Sequence, residues 1–252
     1  MGLYSEALRK IQTGHKRYAI TDTWKTQPVS LPNIPRGMAD DIRRLQERID
    51  YLLPNRPSRV IGLCGVDRGV GNTTIAYLLS LQYARIGYPF FCHGVNQWVD
   101  RRPMGMRKTH HLLLLDANLH APGLHVFFGR RRETGLVDII EQDLPWSEAA
   151  SWIQPGEFAL ITAGRTPEAA THIFKSSRLP QFIRRAREIF YTIIIDFAAV
   201  LHHPDLMALG ESLDGLVLVA AARSSRVEEL QKTRALLDEK GIKILGVVLN
   251  RM

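Results

Sequence analysis

Residues 65–76, GVDRGVGNTTIA, have the types and order to hold a phosphate. They follow an apolar run, RVIGLCG at 59–65, and lead into a helical pattern at 73–86. In that setting a glycine-rich loop presents successive backbone amides and a helix N-terminus to an anion. Gly69 and Gly71, on either side of Val70, permit the close approach. Thr73 stands where a hydroxyl would meet Mg²⁺, with Thr74 behind it. The residue directly after the second glycine is ordinarily a lysine, whose ammonium follows the charge that develops in phosphoryl transfer. Here it is Asn72, which can hydrogen-bond but brings no charge. By analogy with a lost oxyanion donor, the deficit is on the order of 3–4 kcal/mol of transition-state stabilisation. Asp67 adds a negative charge beside the phosphates. Arg68 is the nearby cation that could stand in for lysine. The competing expectation is a loop kept for the fold alone.

Other reactive residues are less organised. His110–His111, His120, His125 and His202–His203 never fall at i, i+4 on one helix with a carboxylate partner, so hydrogen-bonded or solvated histidines are expected rather than a metal centre. Cys64 and Cys92 have neither metal nor redox spacing and read as reduced packing residues.

The elements that must position the loop follow from the apolar pattern. Met38, Ile42, Leu45, Ile49 and Leu52–Leu53 recur at helical spacing over 38–53, with Asp40–Asp41 expected in the first turn and Pro54 ending the helix. Apolar runs at 59–65, 111–116, 191–197, 215–221 and 243–250 predict buried strands. Helical patterns at 135–152, 178–190, 203–212 and 225–240 lie between them. Apolar strands alternating with helices predict an α/β fold, a mostly parallel central sheet covered by helices on both faces, and the phosphate loop at 65–76 between its first strand and the following helix gives it the order of a P-loop NTPase fold. Residues 1–37, interrupted by Pro28, Pro32 and Pro35, read as a basic N-terminal arm, and 38–252 as a single domain. A basic, aromatic segment at about 88–110 reads as an elaborated loop.

The chain has 252 residues, 45% hydrophobic and 23% charged. That composition excludes disorder, and no apolar run approaches the roughly 20 residues of a membrane-spanning helix. No secretory signal is read at the N-terminus, and Glu6 spoils the myristoylation pattern that Gly2 opens. Of the net charge of +8, a surplus of five falls in residues 1–60, with eleven Lys/Arg against six Asp/Glu. Arg101, Arg102, Arg107 and Lys108 form a second basic cluster. Such segments suit nucleic acid, an anionic membrane surface or an acidic partner, the competing expectation being a solvated basic surface.

A series of segments in order carries a resemblance over about 38–252: LLLLDANLHAPGLHVFFG (112–129), GLVDII (135–140), ITAGRTP (161–167), FYTIIIDFAAVL (190–201) and DGLVLVAA followed by GIKILGVVLNR. The chain resembles the cytoplasmic domain of bacterial tyrosine kinases (BY-kinases), the P-loop kinases of capsule and exopolysaccharide export, as a degenerate member. More distantly it is similar to the ParA/MinD ATPases. The resemblance implies ATP and Mg²⁺ as cofactors. It implies that Asp116 is a metal-water ligand and candidate catalytic base, and that Asp196 is the acid holding Mg²⁺ through water, with Thr73. Asn118 occupies a second acid position and His120 a basic one. Phe197-Ala198-Ala199 replaces Thr-Pro-Pro. Asn250 and Arg251 match a pair near the adenine. Asp40, Arg43 and Gln46 match an oligomerisation helix, with Gln46 in place of an arginine. The family's tyrosine-rich tail has no counterpart, the last tyrosine being Tyr191, so tail autophosphorylation is not expected. An acid at a strand end also caps loops, and Asp116 and Asp196 keep that structural alternative.

With the lysine and one acid gone, weak or absent nucleotide binding is expected. The reading favoured is a regulatory or scaffolding pseudokinase of polysaccharide export, cytoplasmic and peripheral to the inner membrane. It would dock to a membrane-anchored chain-length regulator, as a homo-oligomer or beside an active kinase. The alternatives are an active ATPase or tyrosine kinase using Arg68 as its cation, and a ParA/MinD-like positioning ATPase. Nucleic acid is not an expected partner.

Overall fold

A computed structural model describes residues 36–54, 57–86, 90–92, 97–99, 110–153, 158–165, 167 and 170–250. The arm up to residue 35, most of the 88–110 segment with its basic cluster, the Cys92 side chain and Arg251 lie outside the described residues.

A seven-stranded sheet organises the chain, in the order β5-β6-β4-β7-β1-β8-β9. Its strands are β1 (Arg59–Gly65), β4 (His110–Ala117), β5 (Ala150–Ile153), β6 (Phe158–Ile161), β7 (Phe190–Phe197), β8 (Gly215–Ala221) and β9 (Ile244–Asn250). All neighbours are parallel except β5 against β6. Every residue of β1, β7 and β8 is buried, which is why those strands are apolar on both faces rather than alternating. β9, at the edge, leaves Val247 and Leu249 exposed. Two short strands, β2 (Phe90–Cys92) and β3 (Gln97–Val99), pair antiparallel as a separate ribbon within the elaborated segment.

Helix α1 runs Arg36–Leu52, two residues earlier than its apolar pattern, so Asp40 and Asp41 sit in the second turn rather than the first. Ile42 and Ile49 are buried and α1 packs on α2 (Asn72–Ile86), the helix that follows the glycine loop. The expected helix at 135–152 is three pieces: α4 (Leu136–Gln142), the single turn α5 (Trp146–Ala149) and then β5. Pro145, which caps α5, separates the helices, and Ala150–Ile153 gains more by pairing with the strand Phe158–Ile161 than by continuing a helix. Two short helices, α3 (Leu124–Phe127) and α6 (Ala170–Lys175), were not evident in the apolar pattern. Helices α7 (Arg178–Ile189) and α8 (Val227–Glu239) fall where expected, while the element at 203–212 is a 3-10 helix, Pro204–Ser212. No helix among the described residues is long and apolar enough to cross a membrane.

This topology brings the C-terminal ends of β1, β4 and β7 side by side. In register, Asp116 on β4 faces Asp196 on β7, beside the strand that feeds the glycine loop. In open parallel sheets ligands bind at this edge.

Candidate nucleotide site

The glycine loop spans Val66–Gly71 between β1 and α2. Its start is tied to the sheet by the Val66 N–H, which donates to the Val219 carbonyl at 2.9 Å. Its end is braced by Asn250 at the tip of β9, whose Nδ2 donates to the Val70 carbonyl at 2.8 Å. Gly71 has φ +94°, and a Cβ there would lie 2.3 Å from Asn250 Nδ2. Gly71→Ala therefore imposes left-handed strain and displaces the brace. A loss of about 1–2 kcal/mol in urea unfolding is expected. Asn250, implied by resemblance to sit near the adenine, here contacts the loop itself.

Asn72 is buried and turns inward. Its Nδ2 donates to Asp196 Oδ1 at 2.7 Å and to the Phe197 carbonyl at 2.8 Å. An amide nitrogen carries two hydrogens, and both are used. The Phe197 carbonyl can only accept, which fixes the orientation of the amide. Only the amide oxygen remains, an acceptor that repels phosphate. The side chain in the lysine position thus has neither charge nor a free donor for an anion.

Asp116 and Asp196 are both fully buried. Asp116 Oδ1 accepts the Asn118 N–H at 3.1 Å, and Oδ2 accepts the N–H groups of Gly123 and Leu124 at 3.2 and 3.1 Å. Asp116 therefore caps the turn into α3, the structural role open to an acid at a strand end. Asn118 Oδ1 closes the same turn by accepting the Ala121 N–H at 3.2 Å. Burial pushes the Asp116 carboxyl up to about 6, against the three amides that favour its charge. Burial first, and the Asp116 charge second, push Asp196 up to about 8; hydrogen bonds from Thr73 and Asn72 act the other way. Two desolvated like charges on adjacent strands cannot both ionise cheaply, so the pair holds a proton.

Asp196 Oδ2 is buried with no hydrogen-bond partner. An oxygen so placed, with the Thr73 hydroxyl at the same carboxylate, fits a water of Mg²⁺, a cation that prefers oxygen ligands. Thr73 and Asp196 would hold the ion and its phosphate, and Asp116 would contribute only by giving up its capping bonds. Gly123 packs against Thr73: a Cβ there would meet the threonine methyl carbon at 3.1 Å. Thr74 lies partly buried in the first turn of α2.

The remaining loop residues are engaged elsewhere. Asp67 Oδ1 accepts the Arg68 N–H at 2.6 Å and lies 2.7 Å from His202 Nε2, and the His202 contact holds its carboxyl below the ordinary value. Arg68 Nη2 donates to His203 Nε2 at 3.1 Å, so the substitute cation is directed at an imidazole. Cys64 is buried, and burial pushes its thiol up to about 12, consistent with an inert packing residue.

Asp40 and Arg43 are exposed, whereas Gln46 is buried. Asp40 and Arg43 form an exposed ion pair at 3.2 Å. Gln46 is 3% exposed, donates from Nε2 to Asp50 Oδ2 at 2.6 Å and accepts from Gln82 at 3.4 Å. Gln46, expected beside them on an oligomerisation helix, is engaged within the chain through Asp50 and Gln82. Several residues of the site were not singled out from the sequence. Val66, Val219 and Gly123 act through backbone groups or small size, which residue type does not reveal. Asp205, beside His120, lies 85 positions away from it.

No family model matches the chain. By sequence it is 23% identical over 241 residues to the tyrosine-protein kinase wzc of Salmonella typhi, covering 94% of the chain and 29% of that protein. It is 25% identical over 242 residues to the succinoglycan biosynthesis transport protein ExoP of Rhizobium meliloti, covering 92% of the chain and 28% of ExoP. The tyrosine-protein kinase YwqD of Bacillus subtilis is 21% identical over 225 residues, with 89% of the chain and 83% of YwqD covered. The chain thus spans under a third of the length of wzc and ExoP. Among solved structures, the kinase domain of the Escherichia coli tyrosine kinase ETK superposes with a TM-score of 0.75 at 19% identity, covering 92% of this chain and 84% of that one. The septum site-determining protein MinD of Pyrococcus horikoshii, complexed with Mg-ADP, gives 0.57 at 21% identity, covering 76% and 70%. The chain is thus similar in sequence to bacterial tyrosine-protein kinases and to a polysaccharide transport protein, and its fold is that of BY-kinase domains, shared at greater distance with the ParA/MinD ATPases.

Proposed function

We propose that this chain is a regulatory or scaffolding pseudokinase of exopolysaccharide or capsule biosynthesis and export, acting by docking rather than by phosphoryl transfer. The observation that carries the reading is Asn72, whose two amide hydrogens are committed to Asp196 and the Phe197 carbonyl. Phosphoryl transfer depends on positioning and charge stabilisation, and the position nearest the transferred phosphate supplies neither. The proposed partner is a membrane-anchored chain-length regulator, met at the inner membrane from the cytoplasm. A homo-oligomer or co-assembly with an active kinase is the proposed setting. ATP and Mg²⁺ bind weakly or not at all.

An active ATPase using Arg68 is the less favoured reading, because Arg68 is hydrogen-bonded to His203. A positioning ATPase of the ParA/MinD kind meets the same obstacle at Asn72.

The docking claim is tested by sedimenting the purified chain with vesicles that carry the chain-length regulator, with and without Mg-ATP. The expected result is co-sedimentation of equal extent in both, absent from vesicles lacking the regulator. Association that requires Mg-ATP, or none with regulator-loaded vesicles, overturns it.

A further inference from the structure

The loops above the two buried acids carry a second cluster that phosphate binding does not use. His120 lies in the turn after β4, His203 precedes the 3-10 helix and Asp205 lies in its first turn. One candidate ligand atom from each lies within 4.8 Å of the others. His120 Nε2 is 2.6 Å from Asp205 Oδ2. The His120 and His203 rings stack with centroids 3.5 Å apart and planes 14° from parallel.

The state of His203 can be read from its partner. A guanidinium only donates, so the 3.1 Å contact from Arg68 means that His203 Nε2 presents its lone pair. Asp205 brings the negative charge. Two imidazoles and one carboxylate are a donor set for borderline cations such as Zn²⁺, not for Mg²⁺, which takes oxygens.

We infer that His120, His203 and Asp205 form a divalent transition-metal site of the Zn²⁺ class at the mouth of the glycine loop. Around a tetrahedral ion with bonds of about 2.0–2.2 Å, ligand atoms sit roughly 3.3 Å apart. To reach that, the 2.6 Å contact between His120 and Asp205 opens, and one stacked ring turns about χ2 so that its nitrogen faces the ion. The ion replaces the hydrogen bond between His120 and Asp205 and takes the His203 lone pair from Arg68, releasing the guanidinium. Three protein ligands leave a fourth position for water. His202 is outside the set, since its Nε2 is held by Asp67 at 2.7 Å. The site would pin the loop after β4 to the loop after β7, whatever the chain does with nucleotide.

Co²⁺ reports on such a site through its visible absorption, which is intense in tetrahedral coordination. Titration of the metal-free chain near neutral pH is expected to saturate at one equivalent, with the bands abolished by added Zn²⁺. His203→Ala and Asp205→Asn should each weaken Zn²⁺ binding about 100-fold or more, since even losses of residues behind the ligands cost about 10–100-fold. His202→Gln should bind as the parent does. Circular dichroism of each variant verifies the fold, and His120→Ala replaces any that misfolds. The inference is overturned by the absence of saturable binding in the parent, by unchanged affinity in a folded ligand variant, or by equal loss in His202→Gln.

Discussion

Asn72→Lys is expected to raise the affinity of the chain for Mg-ATP by about 10- to 100-fold. A hydrogen bond to a charged group contributes about 1.5–3 kcal/mol, and each 1.4 kcal/mol is a factor of ten in binding. The rest of the cradle is in place to benefit. Gly69 and Gly71 have positive φ, the Val70 carbonyl is braced by Asn250, and Thr73 opens α2. What the native side chain lacks is a donor directed outward, because Asp196 and Phe197 take both hydrogens. A lysine at the same position has three hydrogens and a longer stem, so it can satisfy Asp196 and still face a phosphate. Fluorescent-nucleotide titration of parent and variant measures the difference. Equal affinities would locate the defect outside Asn72.

The second large effect concerns stability and pH. Asp116 and Asp196 are raised in the folded state, toward about 6 and about 8, from an ordinary value of 3.8. A raised carboxyl binds its proton more tightly folded than unfolded. Its favourable contribution is complete below the ordinary carboxylate range and is lost as the pH rises through the folded values. Without Mg²⁺, stability should therefore fall between about pH 4 and about pH 8 and level off above. Asp196→Asn removes the buried charge, keeps an oxygen for the Asn72 amide and should flatten this slope. Above about pH 8 the variant is expected to exceed the parent by on the order of 3 kcal/mol, the scale of desolvating one unpaired charge. Urea unfolding across pH measures it. Parallel curves for parent and variant would contradict a shared proton at the pair. Mg²⁺ should stabilise the parent in the alkaline part of this range, where the carboxylates are free to take it.

The strands could be read from the chain because burial on both faces of β1, β7 and β8 makes their runs almost wholly apolar, Arg59, Thr192 and Asp196 being the polar members. Pairing was harder to read. Residues 150–153 alternate poorly and follow a helical pattern, and only the partner strand at 158–161 makes them a strand. The glycine loop was readable because its chemistry is local, all within residues 65–76. The direction of the Asn72 amide was not, since its acceptors lie 124 and 125 residues away. Gln46 carries the same lesson: its type suggests surface, and its burial depends on Asp50 and Gln82 around it. The histidines showed no ligand spacing because His120 and Asp205 are brought together by two strand ends rather than one helix turn. Charges on the arm and in the 88–110 segment remain compositional expectations of a docking surface.

With both amide hydrogens of Asn72 turned inward, the position after the second loop glycine offers a phosphate neither charge nor donor. Isothermal titration of the purified chain with Mg-ATP, paired with a sensitive phosphate-release assay, tests it most directly. Affinity no tighter than the millimolar range, about −4 kcal/mol, and no turnover above the protein-free blank are expected. Micromolar affinity accompanied by hydrolysis would contradict it.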